Sequence, residues 1–576
     1  MADDNKLCSP GPAVAELIRL LRTLGYGSDS INRALGAQGV AAAADGSPEA
    51  ALWCLEQGEP DPNADVNADV NADVIAGVYL RQPLSDQRWS AIIGDELMGR
   101  LRDELALVPT SDDALQLNID IRPVSAPGHG HADRGDVEVL VASDPDASLD
   151  VRIPGPHHVP GVGHAPLSLL NVIPPLVTDH GSAQSVLDLG TGSGVLALLL
   201  GQLYPHVQFT ATDIHDRALH FARAADHGTA TIDWRQGSWF EPVDGQTFDV
   251  IISNPPFVIG PAAADSTDSA DGADGADSAD SASAEGHIYR DSGLALDGAS
   301  ELVVRHAAEH LSPGGHAHLL AGWALRAGET VGSRTVGWLP ATGIRAWVVQ
   351  RDEVDVATYV STWLRDESVD PRTPTGRART RAWLDFFAVH GVERIGLGYV
   401  HMEKLETQAD TATEVHAELI DWPLPAGTYL GNEVSEWFRR TAWITGRSAD
   451  DVLDAHYAVR PGVAVEDVTM ADTSAGQGFT RVARRISRTE GPCYSHDIDE
   501  HVLAIVSGVH PEGLPLRDVT ELYCAVHDLD ETAFATAIVP IAVDLIRHGI
   551  IVPTDLLADA TSHEPSSVRG MGWASE

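Results

Sequence analysis

Positive charge is scarce in this chain. Its 576 residues hold 38 lysines and arginines against 84 aspartates and glutamates, a formal charge of −46. A surface so acidic repels phosphate backbones at long range, which argues against a protein that coats DNA regardless of sequence. A local basic groove stays compatible with it. Cysteine is nearly missing: Cys8, Cys54, Cys493 and Cys524 stand far apart and form no CxxC pair. Neither a zinc knuckle nor a disulfide framework follows from that spacing, so no metal is expected, and free thiols in a reducing cytoplasm are. No apolar run is long enough to cross a bilayer. The start, Met1 to Lys6, lacks the basic-then-apolar order of a signal peptide, and a cytoplasmic location is expected.

What is present is an ordinary globular composition, 43% apolar and 21% charged, over a length too great for one core. We expect an α+β accessory domain over 1–150, a catalytic domain over 151–404 and a mainly helical accessory domain over 405–576. Three stretches are too polar and repetitive to offset their chain entropy and are expected to be disordered. They are the NADV repeat from Asn63 to Val74, an aspartate-rich insert from Ala262 to Glu285 (262–286 in the domain scheme), and the tail after Asp559.

The middle of the chain alternates short apolar runs with helical stretches, which predicts a parallel α/β sheet. Strands are expected at Ser185–Leu189, Val207–Thr212, Thr231–Arg235, Phe248–Ser253, His316–Ala321, Ile344–Gln350 and Arg394–His401. A longer helical region, Val354–Arg365 plus Arg379–His390, separates the last two. Before the sheet, Ala13–Leu24 has helical periodicity, and Leu115–Val124 and Val137–Ala142 look like two strands. Near the end, Val502–Val552 offers helix, turn, helix, helix and a short strand. A winged-helix module fits that pattern, and so do other small helical domains.

Two motifs carry chemistry. The first strand runs into Asp188-Leu-Gly190-Thr191-Gly192-Ser-Gly194, a tight turn that lets backbone approach a ligand closely. Behind it, a helix N-terminus offers free N–H groups. The dinucleotide fingerprint needs glycine at 195, where this chain has valine. With acidic Asp188 just before the turn, a sulfonium nucleoside suits it better than a pyrophosphate. The next strand ends in Asp213, about 20 residues on, where a carboxylate can accept both ribose hydroxyls. An aspartate there also suits a helix cap.

The second motif is Asn254-Pro255-Pro256-Phe257, delivered by an apolar strand to the carboxyl edge of the sheet. A planar nitrogen is a poor nucleophile because its lone pair is delocalised. The Asn254 side-chain oxygen and the Pro255 carbonyl can accept its two N–H bonds and stabilise positive charge as it develops. The prolines stiffen the loop and add no competing N–H, and Phe257 can stack on a flat group. Taken alone, Asn-Pro is a common turn opener. In order and spacing with the glycine turn and Asp213, it points to methyl transfer.

Together, Asp188–Gly194 and Asn254–Phe257 resemble the class I "small-domain" S-adenosylmethionine-dependent methyltransferases. That group includes ribosomal RNA N-methyltransferases and HemK-type glutamine-N5 methyltransferases. Gly237–Pro242, Tyr289–Gly293 with Leu294–Gly298, Leu311–Gly315 and Val159–Gly163 extend the likeness over roughly residues 155 to 325. The layout is also similar to actinobacterial methyltransferases with extra domains at both ends. The resemblance implies a seven-stranded, Rossmann-like sheet and S-adenosyl-L-methionine as cofactor. Asp188, Gly190, Thr191, Gly192, Gly194, Asp213, Ile214, Ser238, Trp239 and Asn254 would line the cofactor, with the three glycines at its methionine part. Asn254, Pro255, Pro256 and Phe257 would hold the substrate nitrogen, and Val159–Gly163 would close over the cofactor. Ser238 stands where relatives usually carry an aspartate facing the adenine, and its hydroxyl is a weaker acceptor.

The leading expectation for substrate is an exocyclic base amine in ribosomal or transfer RNA, held by two arginine clusters: Arg372, Arg377, Arg379, Arg381 and Arg481, Arg484, Arg485, Arg488. The alternatives are a glutamine of a translation protein, which the acidic surface fits somewhat better, and a non-catalytic scaffold. No membrane partner is expected.

Overall fold

The structure, a computed structural model, describes residues 7–57, 72–110, 113–128, 135–145, 155, 157–178, 181–261, 294–366, 369–406, 411–420, 428–474 and 476–557. Most of the NADV repeat, the aspartate-rich insert, the Tyr289–Gly293 segment and the tail lie outside these residues. The chain divides into two compact units, Met1–Leu419 and Ile420–Glu576.

The first unit is built on one sheet of eight strands: β1 Ser185–Leu189, β2 Gln208–Asp213, β3 Thr231–Gln236, β4 Phe248–Ser253, β5 Leu311–Arg326, β6 Ile344–Asp355, β7 Val392–Lys404 and β8 Glu414–Leu419. In space they run β3-β2-β1-β4-β5-β7-β6-β8. The first five are parallel, and β7 lies antiparallel between β5 and β6. All seven expected strands are present. The eighth, Glu-Val-His-Ala-Glu-Leu, pairs parallel with β6 at the sheet edge. The order reverses at β1, whose neighbours β2 and β4 lead away in opposite directions, so a crevice opens between β1 and β4 at their carboxyl ends.

Helices α1 Val195–Leu203, α2 Asp216–Ala225 and α3 Gly298–His310 make the crossovers. Eight of the nine residues of α1 are buried, which its nearly all-apolar sequence requires. One side meets the sheet; the other meets the strand Val137–Ser143 from the N-terminal part. That strand pairs with Asp120–Ala126. The strand expected over 115–124 is in fact two, because Leu115–Leu117 pairs instead with Leu107–Pro109. The helix Pro12–Thr23 buries Val14, Leu17, Ile18 and Leu21 and packs on α2. Two further helices, α4 Val356–Asp366 and α5 Pro374–Val389, stand between β6 and β7.

The second unit is helical, with Gly431–Ile444, Ala449–Asp454, Glu500–Gly508, Leu516–His527 and Glu531–Arg547 around a core that includes Trp443, Tyr457, Leu545 and Ile550. It also carries a three-stranded antiparallel sheet, Val463–Ala471, Phe479–Arg488 and Ser495–Asp497, not anticipated from the sequence. No helix among the described residues is long and apolar enough to cross a membrane.

Candidate functional site

Strand register brings the two motifs together. Leu189 of β1 pairs with Thr212 of β2 on one side and Ser253 of β4 on the other. The next residues along each strand, Gly190, Asp213 and Asn254, therefore leave the sheet at one level, about 5 Å from strand to strand. Ser253 tightens the match, since its buried hydroxyl donates to the Leu189 carbonyl at 2.7 Å. Here a cavity of about 430 Å³ opens, lined by Asp188, Gly190, Thr191, Gly192, Asp213, Ile214, Ser238, Trp239 and Asn254–Phe257.

The glycine turn is shaped by its own hydrogen bonds. Gly190, Gly192 and Gly194 all have positive φ (72°, 57° and 85°), a region open to glycine without steric cost. Gly190 and Thr191 N–H both donate to the Thr212 carbonyl at 2.9 Å, and Gly194 N–H donates to Thr191. Gly192 N–H donates to Asp213 Oδ2 at 2.8 Å. Four amides of this turn are thus consumed internally, because the turn folds back onto the end of β2; of the helix N-terminus behind it, where free N–H groups are expected, Ala197 N–H donates to Asp188 Oδ2 at 3.2 Å. Gly194 also departs from expectation: it is not among the lining residues. It sits behind the turn, where a Cβ would stand 2.9 Å from that of Ala222 and 3.1 Å from the Trp234 ring.

In place of donors the site holds two carboxylates. Asp188 is buried and accepts from Thr191 Oγ1 at 2.6 Å and Ala197 N–H at 3.2 Å. Burial pushes its carboxyl up to about 7; these two bonds oppose the shift and neighbouring Asp213 adds to it. Burial also raises Asp213, opposed by the N–H groups of His215, at 2.8 Å, and Gly192. Ile214 is an exposed apolar side chain at the cavity wall, and Trp239 is half-buried with φ at 48°. Positive φ in a bulky residue is strained and persists where its surroundings over-determine it.

His158 and, from the segment expected to close over the cofactor, Val159, Pro160, Gly161 and Gly163 line the cavity from the N-terminal side. They are held by Asp144, whose carboxylate accepts from Val159 N–H at 2.8 Å and pairs with both terminal nitrogens of Arg217 on α2. Past the Asn-Pro-Pro-Phe loop, Ile259 N–H donates to the buried Tyr359 hydroxyl of α4 at 2.7 Å. These contacts join residues far apart in the chain, so no local pattern reveals them.

The arginine clusters prove largely neutralised. Arg372 pairs with Asp370 and Arg381 with Asp385. Arg481 pairs with Glu500, Arg484 with Asp467, and Arg485 with Asp497. Arg488 is buried against Glu433. No group of three or more His, Cys, Asp or Glu among the described residues is placed to hold a metal ion.

Comparison with known proteins agrees with this layout. The family "Methyltransferase small domain" matches residues 168–270, and a domain of unknown function, DUF7782, matches residues 435–553. A release factor glutamine methyltransferase of Xylella fastidiosa is 35% identical over 180 residues, 31% of this chain and 61% of the relative. A ribosomal protein uL3 glutamine methyltransferase of Bradyrhizobium diazoefficiens is 33% identical over 141 residues, 24% of this chain and 40% of the relative. The chain thus spans less than two thirds of the length of either. A T. thermophilus 16S rRNA N2 methyltransferase structure overlays 40% of this chain and 54% of its own at 18% identity, with a TM-score of 0.22, too slight a likeness to bear on function. Residues 168–270 are thus similar to the methyltransferase small domain, and their described part supplies strands β1–β4 of the α/β sheet.

Proposed function

We propose that this chain moves a methyl group from S-adenosylmethionine to the side-chain amide nitrogen of a glutamine in a translation protein. The observation that carries the reading is the meeting of Asp188, Asp213 and the glycine turn with Asn254–Phe257 in one cavity.

The residues present fit the cofactor. A pyrophosphate needs free N–H groups and positive charge, whereas this turn has spent four amides internally and sets two carboxylates beside them. A sulfonium nucleoside with an ammonium group finds the charge it needs. Asp213 would accept the ribose hydroxyls. Ile214 and Trp239 would cover the adenine, and Ser238 would bond its edge. Asp188 would face the methionine end. When bound, S-adenosylmethionine supplies an electrophilic methyl group.

The chain's own residues prepare the acceptor. Asn254 Oδ1 and the Pro255 carbonyl would accept the two amide N–H bonds, aim the lone pair at the methyl group and stabilise the charge that develops. No strong base is needed, since the alkylated nitrogen is acidic and loses a proton to water.

Two observations favour glutamine over an RNA base. Six of the eight clustered arginines already hold carboxylates, which leaves little positive charge for phosphate. The relatives described above are named for glutamine methylation. The test incubates the chain with labelled S-adenosylmethionine and, separately, an unmethylated bacterial release factor and bare ribosomal RNA. Label on a glutamine of the release factor is the expected result. Label on RNA alone would establish the other acceptor.

The position of Asp188 near 7 gives a pH dependence. Below that pH the carboxyl is neutral; a cationic ligand beside it draws the proton off. Cofactor affinity should therefore rise from pH 6 to pH 8, with protons released on binding at pH 6. Calorimetry in two buffers of different ionisation heat measures the release, and Asp188→Asn should abolish it. For the free protein the sign is opposite. Raised above the ordinary carboxylate range, Asp188 favours the folded state least once ionised, so its contribution is lost as pH climbs through 7.

A further inference from the structure

Resting on the methyl-transfer reading, we propose that α4 and α5 build the acceptor end of the cavity. Trp363 is the wall against which the planar amide packs, and Tyr359 positions the Asn-Pro-Pro-Phe loop. Strands β6 and β7 are antiparallel neighbours, and two residues suffice to join such a pair. The chain instead places two helices there, more than the sheet requires.

Those helices grip the stretch just past Phe257. Tyr359 is buried, takes the Ile259 N–H at 2.7 Å and touches Phe387 of α5 edge-on, ring centres 6.2 Å apart. Trp383 of α5 lies so close to Gly260 that a Cβ there would stand 3.0 to 3.3 Å from its ring. Ile259, Tyr359, Leu364, Trp383 and Phe387 share one core cluster. The backbone leaving the loop is therefore fixed by α4 and α5 rather than by the sheet alone.

Trp363 follows Tyr359 by about one helical turn on the same face of α4, with ring centres 5.9 Å apart. It is half-buried, and it lines the cavity that Pro255, Pro256, Phe257 and Val258 also line. With Tyr359 tied to Ile259, this tryptophan belongs to the loop's end of the cavity, not the nucleoside's. An indole lining the same cavity as Phe257 gives a carboxamide and its aliphatic stem a flat, apolar surface, while the amide hydrogens would reach Asn254 and Pro255.

The test uses S-adenosylhomocysteine and an analogue in which nitrogen replaces sulfur and carries, through an ethylene link, the nitrogen of a butanamide, so that carbonyl and aliphatic stem lie beyond the amide nitrogen as in glutamine. In the wild type the arm should strengthen binding at least about tenfold over S-adenosylhomocysteine. Trp363→Ala should keep S-adenosylhomocysteine affinity within about threefold and lose most of the arm's gain, and Trp363→Phe should restore much of it. An arm that gains nothing in the wild type, or a gain that survives Trp363→Ala, overturns the proposal. Failure of the wild type to bind S-adenosylhomocysteine at all sinks the cofactor reading, and the proposal falls with it. Tyr359→Phe removes the acceptor of one N–H and keeps the ring. Hydrogen exchange at the Ile259 amide should then quicken, and unchanged exchange contradicts the positioning role.

Discussion

Asn254→Ala should lower kcat by about 10²- to 10³-fold, the cost of removing one preorganised polar group at a developing charge. On this proposal the side-chain oxygen would be one of two acceptors for the amide N–H bonds, and the Pro255 carbonyl would not aim the lone pair alone. Cofactor affinity should change less than about fivefold, because on the same proposal Asp188 and Asp213, not Asn254, would hold most of the nucleoside's charge and hydroxyls. Steady-state turnover on release factor and calorimetry with S-adenosylmethionine separate the two quantities. A variant that keeps its kcat would mean that the loop is only a turn and that the chain acts as a scaffold.

Asp213→Ala should cost about 10²- to 10⁴-fold in cofactor affinity, from two hydrogen bonds to a charged acceptor worth roughly 1.5–3 kcal/mol each. The carboxylate has a second task that deepens the loss. It accepts the Gly192 and His215 N–H groups, so the alanine variant also leaves the glycine turn without its brace. Asp213→Asn keeps one oxygen for either partner and should fall between wild type and alanine. Equal affinity in all three by titration would show that the ribose binds elsewhere.

Much of the first unit is legible in the sequence because its strands are buried on both faces. Val186-Leu187 and Val250-Ile251-Ile252 read as continuous apolar runs. Strand β8 escapes such a reading: at the sheet edge Glu414-Val-His-Ala-Glu-Leu419 can mix charge with apolar residues. The lining residues Asp188, Gly190, Asp213, Ser238 and Asn254–Phe257 are legible because each sits at the end of a strand, where chain order and sheet geometry coincide. Gly194 misleads for a physical reason. Its missing Cβ leaves room for Ala222 of α2 and the Trp234 ring, and a glycine required for packing looks like one required for a ligand. Tyr359, Trp363 and Asp144 act through contacts that only folding creates; Tyr359 and Ile259 are 100 residues apart. The arginine clusters show the same limit, since sequence counts charges and folding assigns their partners.

The cavity should take a sulfonium nucleoside and refuse a pyrophosphate. Calorimetric titration of the wild-type chain with S-adenosylmethionine and, in parallel, with NAD tests it directly. Micromolar binding of S-adenosylmethionine with no heat from NAD is the predicted result. Binding of NAD, or silence toward S-adenosylmethionine at millimolar concentration, would contradict it.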